Sequence, residues 1–162
     1  MTIREARPED WKAIWPFFRQ IVTARETYAY DPNMSEPQAR STWMVAPPGR
    51  TVVAPGPDDA VLGTASMYAN RPGPGSHVAS ASFMVDPGHA GTGVGRALGE
   101  HVIEWARVSG FRAIQFNAVV ETNTPAVGLW RALGFEVVGT VPEAFEHPRH
   151  GYVGLLIMHR FL

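Results

Sequence analysis

The stretch VDPGHAGTGVGRALGEH, residues 85–101, constrains the fold of this chain more than any other segment. An apolar run ends at Val85, glycines stand at 88, 91, 93 and 95, and Val94, Leu98, Val102 and Trp105 then recur at helical spacing. The order is strand, bare turn, helix. A helix N-terminus carries backbone N–H groups without intrahelical partners and a partial positive charge, and glycines let an anion come close to them. The segment therefore predicts a phosphate-bearing ligand held by main chain. Arg96 stands where the dinucleotide fingerprint needs a third small residue, and Phe111 rather than an acid lies about 20 positions further on. No Gly-Lys-Ser/Thr follows the glycines, so the triphosphate loop is excluded as well.

The rest of the chain supplies a sheet around this unit. Residues 2–6 read as a short strand, and Pro8 opens a helix with Trp11, Ile14, Trp15, Phe18 and Val22 on one face, in which Pro16 predicts a bend or a break. Ser35 and Gln38 have capping-box spacing, which predicts a helix over residues 36–44. Residues 51–54 and 60–69, separated by the turn-rich PGPDD, form a hairpin, and HVASASFMV is a buried strand. A helix over 93–109 stops at Gly110, and AIQFNAVV is a strand with Ile114, Phe116, Ala118 and Val120 on one face. In NTPAVGLWRALGF, Thr124 is the expected N-cap and Gly134 the stop. Two last strands, 136–141 and 152–161, flank a loop, PEAFEHPRHG. This order describes one α/β (α+β) domain over residues 1–162 with a single mixed sheet.

Composition narrows the partner. Charged residues make up 18% and the net charge is -1, which argues against nucleic acid and for a small-molecule substrate. There is no cysteine, so disulfides, thiolate metal sites and a thiol nucleophile are ruled out. No apolar run nears the roughly 20 residues of a membrane span, and the chain reads as soluble and cytoplasmic. His147 and His150 lack a third ligand at suitable spacing, so no metal is expected.

VDPGHAGTGVGRAL followed by NTPAVGLWRALGF resembles the paired signature of the GCN5-related N-acetyltransferase superfamily. The resemblance implies a mostly antiparallel, twisted sheet of six to seven strands flanked by about four helices, with acetyl-CoA as co-substrate. It implies that Gly91, Thr92, Gly93, Val94, Gly95 and Arg96 cradle the coenzyme A pyrophosphate, and that Met84 and Val85 pair their backbone with the pantetheine arm. Asn123, Ala126 and Trp130 complete the coenzyme side. Two positions depart from the pattern. Ala90 stands where an Arg or Gln is usual, and Trp130 replaces the tyrosine that protonates the leaving thiolate.

Within the superfamily, SHVASASFMV, FNAVVETN and GTVPEAF are similar to segments of the fungal proline-analogue N-acetyltransferases, which act on azetidine-2-carboxylate and related imino acids. That likeness implies an N-acetyltransferase for a small amino or imino acid, with Ser80, Asn117 and Asn123 in catalysis and Ser80 departing from the group's asparagine. His77 is the one titratable group on the strand that holds Ser80, hence the candidate base. Glu26, Tyr28, Phe116 and Asn117, with Ser80, are expected to contact the acceptor amine. Two alternatives stay open: an acyl-CoA-binding module without catalysis, and a transferase using another acyl or aminoacyl donor. A homodimer is compatible with all three.

Overall fold

Turn and cap residues set most element boundaries in the computed structural model, which describes residues 1–162. Strand β1 (Arg4–Glu5) runs through a 3-10 turn at Pro8–Asp10 into α1 (Trp11–Ala24). The buried Asp10 carboxylate accepts the Arg7 N–H at 2.6 Å and the Arg4 guanidinium at 2.8 and 2.9 Å, tying strand to helix. Pro16 does not divide α1, which runs unbroken past it. An interior proline costs about 3 kcal/mol. Burial of Trp11, Ile14, Phe17, Phe18 and Val22 on the inner face offsets that, at roughly 1.5–3 kcal/mol for each large apolar side chain. Helix α2 (Glu36–Trp43) carries the expected reciprocal cap, Gln38 N–H to Ser35 Oγ at 3.3 Å and Ser35 N–H to Gln38 Oε1 at 2.9 Å.

Then follow β2 (Arg50–Pro55), β3 (Val61–Ala69), β4 (Val78–Val85), α3 (Val94–Val108), β5 (Ala113–Val120), α4 (Thr124–Ala132), β6 (Glu136–His147) and β7 (Gly151–Phe161). The seven strands form one sheet in the order β1-β2-β3-β4-β5-β7-β6. Every neighbouring pair is antiparallel except β4 and β5, which run parallel. One face packs under α3 and α4 in a core that includes Ala79, Ala81, Leu98, Ile114, Phe116 and Trp130. The other packs under α1 and α2, where Met84 joins Trp11, Phe18 and Trp43.

Three local expectations are corrected. The N-cap of α4 is Asn123, whose Oδ1 accepts the Ala126 N–H at 3.4 Å, and Thr124 is already the first helical residue. Ala118 leaves the face of Ile114 and Phe116 because the register against β7 shifts between Phe116 and Val119, and Ala118 is exposed. Much of the expected 142–151 loop is strand. After a register shift between Val141 and Phe145, the buried side chains of Phe145, Val120 and Val153 draw β6 back onto β7 as far as His147.

Candidate active site

The site follows from a break in pairing. Parallel β4 and β5 share register at only two positions, Val78↔Ala113 and Ala79↔Ile114, and then diverge. Backbone direction alternates along a strand. Val78 and Asp86 bond toward the β3 side, through Asn70 N–H to Val78 O and Asp86 N–H to Leu62 O, so the even-numbered residues of β4 face β3. Ala81, Phe83 and Val85 consequently turn their N–H and C=O groups into the opening. Of the expected pair Met84 and Val85, only Val85 presents its backbone there. Met84 is paired with Thr64 and its side chain is buried under α1.

Two helices start at the wide end of the opening. Gly91 and Gly93 take φ of +76° and +91°, a left-handed conformation that disfavours any side chain, and Gly93 is the N-cap of α3. The turn is braced from within. Asp86 Oδ1 accepts the Gly88 N–H at 3.0 Å, Asp86 Oδ2 lies 3.3 Å from His89 Nδ1, and the Thr92 hydroxyl donates to His89 O at 2.7 Å. No backbone acceptor takes the N–H groups of Gly91, Gly93, Val94, Gly95 or Arg96. Arg96 itself is exposed and reaches Glu100 at 3.7 Å. Across the opening, Asn123 caps α4, Ala126 lies half-buried on its first turn, and the neighbouring Thr122 Oγ1 is a buried oxygen without a hydrogen-bond partner.

On the α4 face the opening is floored by rings. Trp130 is buried, 4.6 Å from Phe83 and 4.8 Å from Phe116 between ring centroids. On the α1 face the groups are polar and uncharged. Tyr68 Oη lies 3.3 Å from Ser82 Oγ, Ser80 is buried opposite Tyr68, and Gln115 donates to Asn117 Oδ1 at 2.9 Å. Asn117 is exposed and donates to Asn70 Oδ1 at 2.6 Å, linking β5 to the end of β3. Tyr28 enters from the α1–α2 loop, its hydroxyl accepting the Phe83 N–H at 2.8 Å and donating to Phe83 O at 2.6 Å. Burial pushes the Tyr28 and Tyr30 phenols up, so both remain protonated donors.

Two expected residues stand apart from this constellation. His77 is exposed at the start of β4, on the closed side of the two-residue seam, where its carbonyl accepts the Arg112 N–H. Glu26 is engaged by Arg149 of the β6–β7 turn, a hydrogen bond that holds its carboxyl below the usual range. Tyr68, Ser82, Asn70 and Gln115 were missed from sequence. Their signal is faint: a polar residue at every second position of otherwise apolar strands. Two clefts lie elsewhere, about 490 Å³ between β1 and α2 and about 420 Å³ between α1 and the loop after it. Neither is lined by β4 or β5.

A parallel seam that opens beside a glycine-led helix is a fold-level feature, and comparison with known proteins decides which fold it is. Residues 11–135 match the acetyltransferase (GNAT) family. The chain belongs to that family. A GCN5-related N-acetyltransferase from Kribbella flavida is similar over nearly its whole length, at 64% identity and a TM-score of 0.96, covering 99% of this chain and 97% of that one. A GNAT-superfamily phosphinothricin acetyltransferase from Sinorhizobium meliloti, solved with acetyl-CoA, aligns at 25% identity and a TM-score of 0.88 over 99% of this chain and 88% of that one. An N-acetyltransferase of Schizosaccharomyces pombe is 29% identical over 156 residues, 87% of this chain and 75% of that protein. As a GNAT member the chain is an N-acetyltransferase, and its seven-stranded sheet with four α-helices matches the expected architecture.

Proposed function

We propose that this GNAT enzyme transfers the acetyl group of acetyl-CoA to the amine of a small amino or imino acid, with proline analogues such as azetidine-2-carboxylate as the first acceptors to try. The observation that carries the donor half is the opening between β4 and β5, with inward-facing backbone at Ala81, Phe83 and Val85 and five free N–H groups at the start of α3. A phosphate-ended, amide-bearing chain fits this set: the α3 N-terminus takes the pyrophosphate, and Val85 takes an amide of the arm. The unpartnered Thr122 hydroxyl beside Asn123 is a further group such an arm would satisfy. Missing Arg or Gln at Ala90 leaves that cradle to main chain and glycine geometry.

Acetyl-CoA supplies a thioester whose carbonyl carbon forms the new bond to nitrogen as the bond to sulfur breaks. The chain's own contribution is positioning and hydrogen bonding. The N–H of Phe83 or Ala81 is the donor for the oxygen that gains charge, an interaction whose loss elsewhere costs about 3 kcal/mol. Ser80, Tyr68, Ser82 and Asn117 line the acceptor side with neutral groups and no carboxylate. Such a face binds the amine as free base; an ordinary α-amine with a pKa of about 8 is partly in that form near neutrality, and a ring imine with a higher value needs more help to reach it. Trp130 has no proton to give in this range, so the thiolate departs without acid help from α4.

A panel of CoA, acetyl-CoA and longer acyl-CoAs crossed with proline, azetidine-2-carboxylate, ordinary amino acids and polyamines tests the reading through release of free thiol. The expected result is turnover with an imino or amino acid that is lost in Asn117→Ala while acetyl-CoA still binds. Tight donor binding with no turnover across the panel would leave an acyl-CoA-binding module instead, and turnover only with another acyl group would replace the donor.

A further inference from the structure

The hydroxyl of Tyr28 sits where a bound ligand would bond. Past the seam, β4 has three residues with inward N–H and C=O groups, and the middle one, Phe83, has both of its groups taken by this single oxygen. The arrangement satisfies an internal sheet edge that β5 has abandoned. Tyr28 belongs to neither helix nor strand. Its loop leaves α1 at Arg25, which has a left-handed φ of 59°, and its ring rests against Tyr30 at 5.3 Å and edge-on against Trp43 at 6.2 Å. Its far neighbour Glu26 is held by Arg149.

We propose that Tyr28 is a displaceable occupant of the Phe83 N–H, pushed off when the acetyl oxygen arrives and returning when only CoA remains. The inference rests on the acetyl-CoA reading above. An N–H is one donor, and two oxygens cannot both approach it along the same line. The phenol therefore moves when the thioester carbonyl binds, and the loop carrying Glu26 and Tyr30 moves with it. Arrival of the acetyl group in this way remakes the wall of the acceptor side, so the amine meets its finished pocket only on the acetyl-loaded enzyme. Free CoA, without the acyl oxygen, leaves Tyr28 in place.

Calorimetric titration of the full chain with acetyl-CoA and with CoA tests this in Tyr28→Phe and in Tyr30→Phe, whose hydroxyl makes no bond to Phe83. Tyr28→Phe keeps the ring but frees the N–H, so acetyl-CoA binds about fivefold tighter, the worth of one net hydrogen bond, while CoA affinity is unchanged. Tyr30→Phe leaves the ratio of the two affinities as it was. An equal change for both ligands, or weaker acetyl-CoA binding in Tyr28→Phe, overturns the inference. Hydrogen exchange of residues 25–30 in the unmodified chain gives a second readout that needs no variant. Acetyl-CoA speeds exchange there relative to CoA, and identical exchange with the two ligands overturns the inference. Failure of the unmodified chain to bind CoA at all overturns the donor reading as well, a result distinct from intact CoA binding with an unchanged ratio.

Discussion

The indole of Trp130 and the ring of Phe83 meet at 4.6 Å between centroids with their planes at 44°, joining α4 to β4 across the diverging strands. Phe116 of β5 lies against the same indole at 4.8 Å and stacks on Phe135 at 4.4 Å. Trp130 is thus packing material in this chain. Trp130→Ala loses about 3–5 kcal/mol of stability by urea unfolding. Trp130→Phe loses less and leaves the pH dependence of turnover unaltered, because no titrating group is removed. A pH–rate profile that shifts in Trp130→Phe would contradict this.

Gly99 and Gly93 separate folding from donor binding. A methyl at Gly99 would stand 2.7 Å from Leu133 and 3.0 Å from Trp130, between α3 and α4. Gly99→Ala therefore overpacks the core, with a cost of about 1–3 kcal/mol in unfolding measurements. At Gly93 nothing lies within 4 Å of the added methyl, and the penalty comes from φ of +91°, about 1–2 kcal/mol for a left-handed residue with a side chain. Gly93→Ala also tilts the free N–H groups of α3, so its acetyl-CoA affinity falls by more than that of Gly99→Ala, as calorimetry would show.

Asp10 makes stability acid-sensitive. Its hydrogen bond to Arg4 is the main cause of a carboxyl held below its ordinary value. With the folded value depressed, the stabilisation is complete above the unfolded pKa of about 3.9 and is lost as pH falls through the folded value. Asp10→Asn is expected to lose about 1.5–3 kcal/mol near neutrality, the worth of hydrogen bonds to a charged group. Thermal melts at pH 7 and pH 3 check it, and the gap between variant and parent narrows at the lower pH.

His147 acts in a higher window. Its Nδ1 accepts the Arg149 N–H at 3.1 Å and the His150 N–H at 3.3 Å, and burial, followed by His150 and Arg149, pulls its pKa down. A neutral imidazole is what the turn requires. The folded value lies below the unfolded 6.5, so this contribution is intact above pH 6.5 and disappears as pH falls through the folded value. The protection factors of the Arg149 and His150 amides, with the intrinsic pH dependence of exchange divided out, fall on going from pH 8 to pH 5, and His147→Gln removes that fall.

Periodicity and cap chemistry carried most of the fold. Ser35 with Gln38, Gly110 after α3 and the glycines at 91 and 93 each act within a few residues, so their effect is written locally. The errors arise where distant contacts prevail over local signals. Pro16 is overruled by the packing of α1, and the residues after Pro142 are drawn into β6 by Phe145 against Val120 and Val153. The glycine turn before α3 was legible for the same reason as the caps, a short loop feeding a helix. The polar face between β3, β4 and β5 was legible only in part, through Ser80 and Asn117. Tyr68, Ser82, Asn70 and Asn117 come together only once three strands are laid side by side, and Asn70 is 47 residues from the amide it bonds.

The two-residue seam between β4 and β5 has a mechanical consequence. The sheet is effectively two leaves, β1 to β4 and β5 to β7, joined along a spine as short as Val78 and Ala79 against Ala113 and Ile114. Beyond the spine the leaves are joined by side chains rather than by backbone: the core under α3 and α4, the rings of Phe83, Trp130 and Phe116, and the Asn117–Asn70 hydrogen bond. Under the donor reading proposed above, a molecule laid along β4 and touching Asn123 on the other leaf would bolt the two together. Occupancy of the cleft then stiffens both leaves throughout, and the rigidity of the whole domain becomes a report on whether it is loaded.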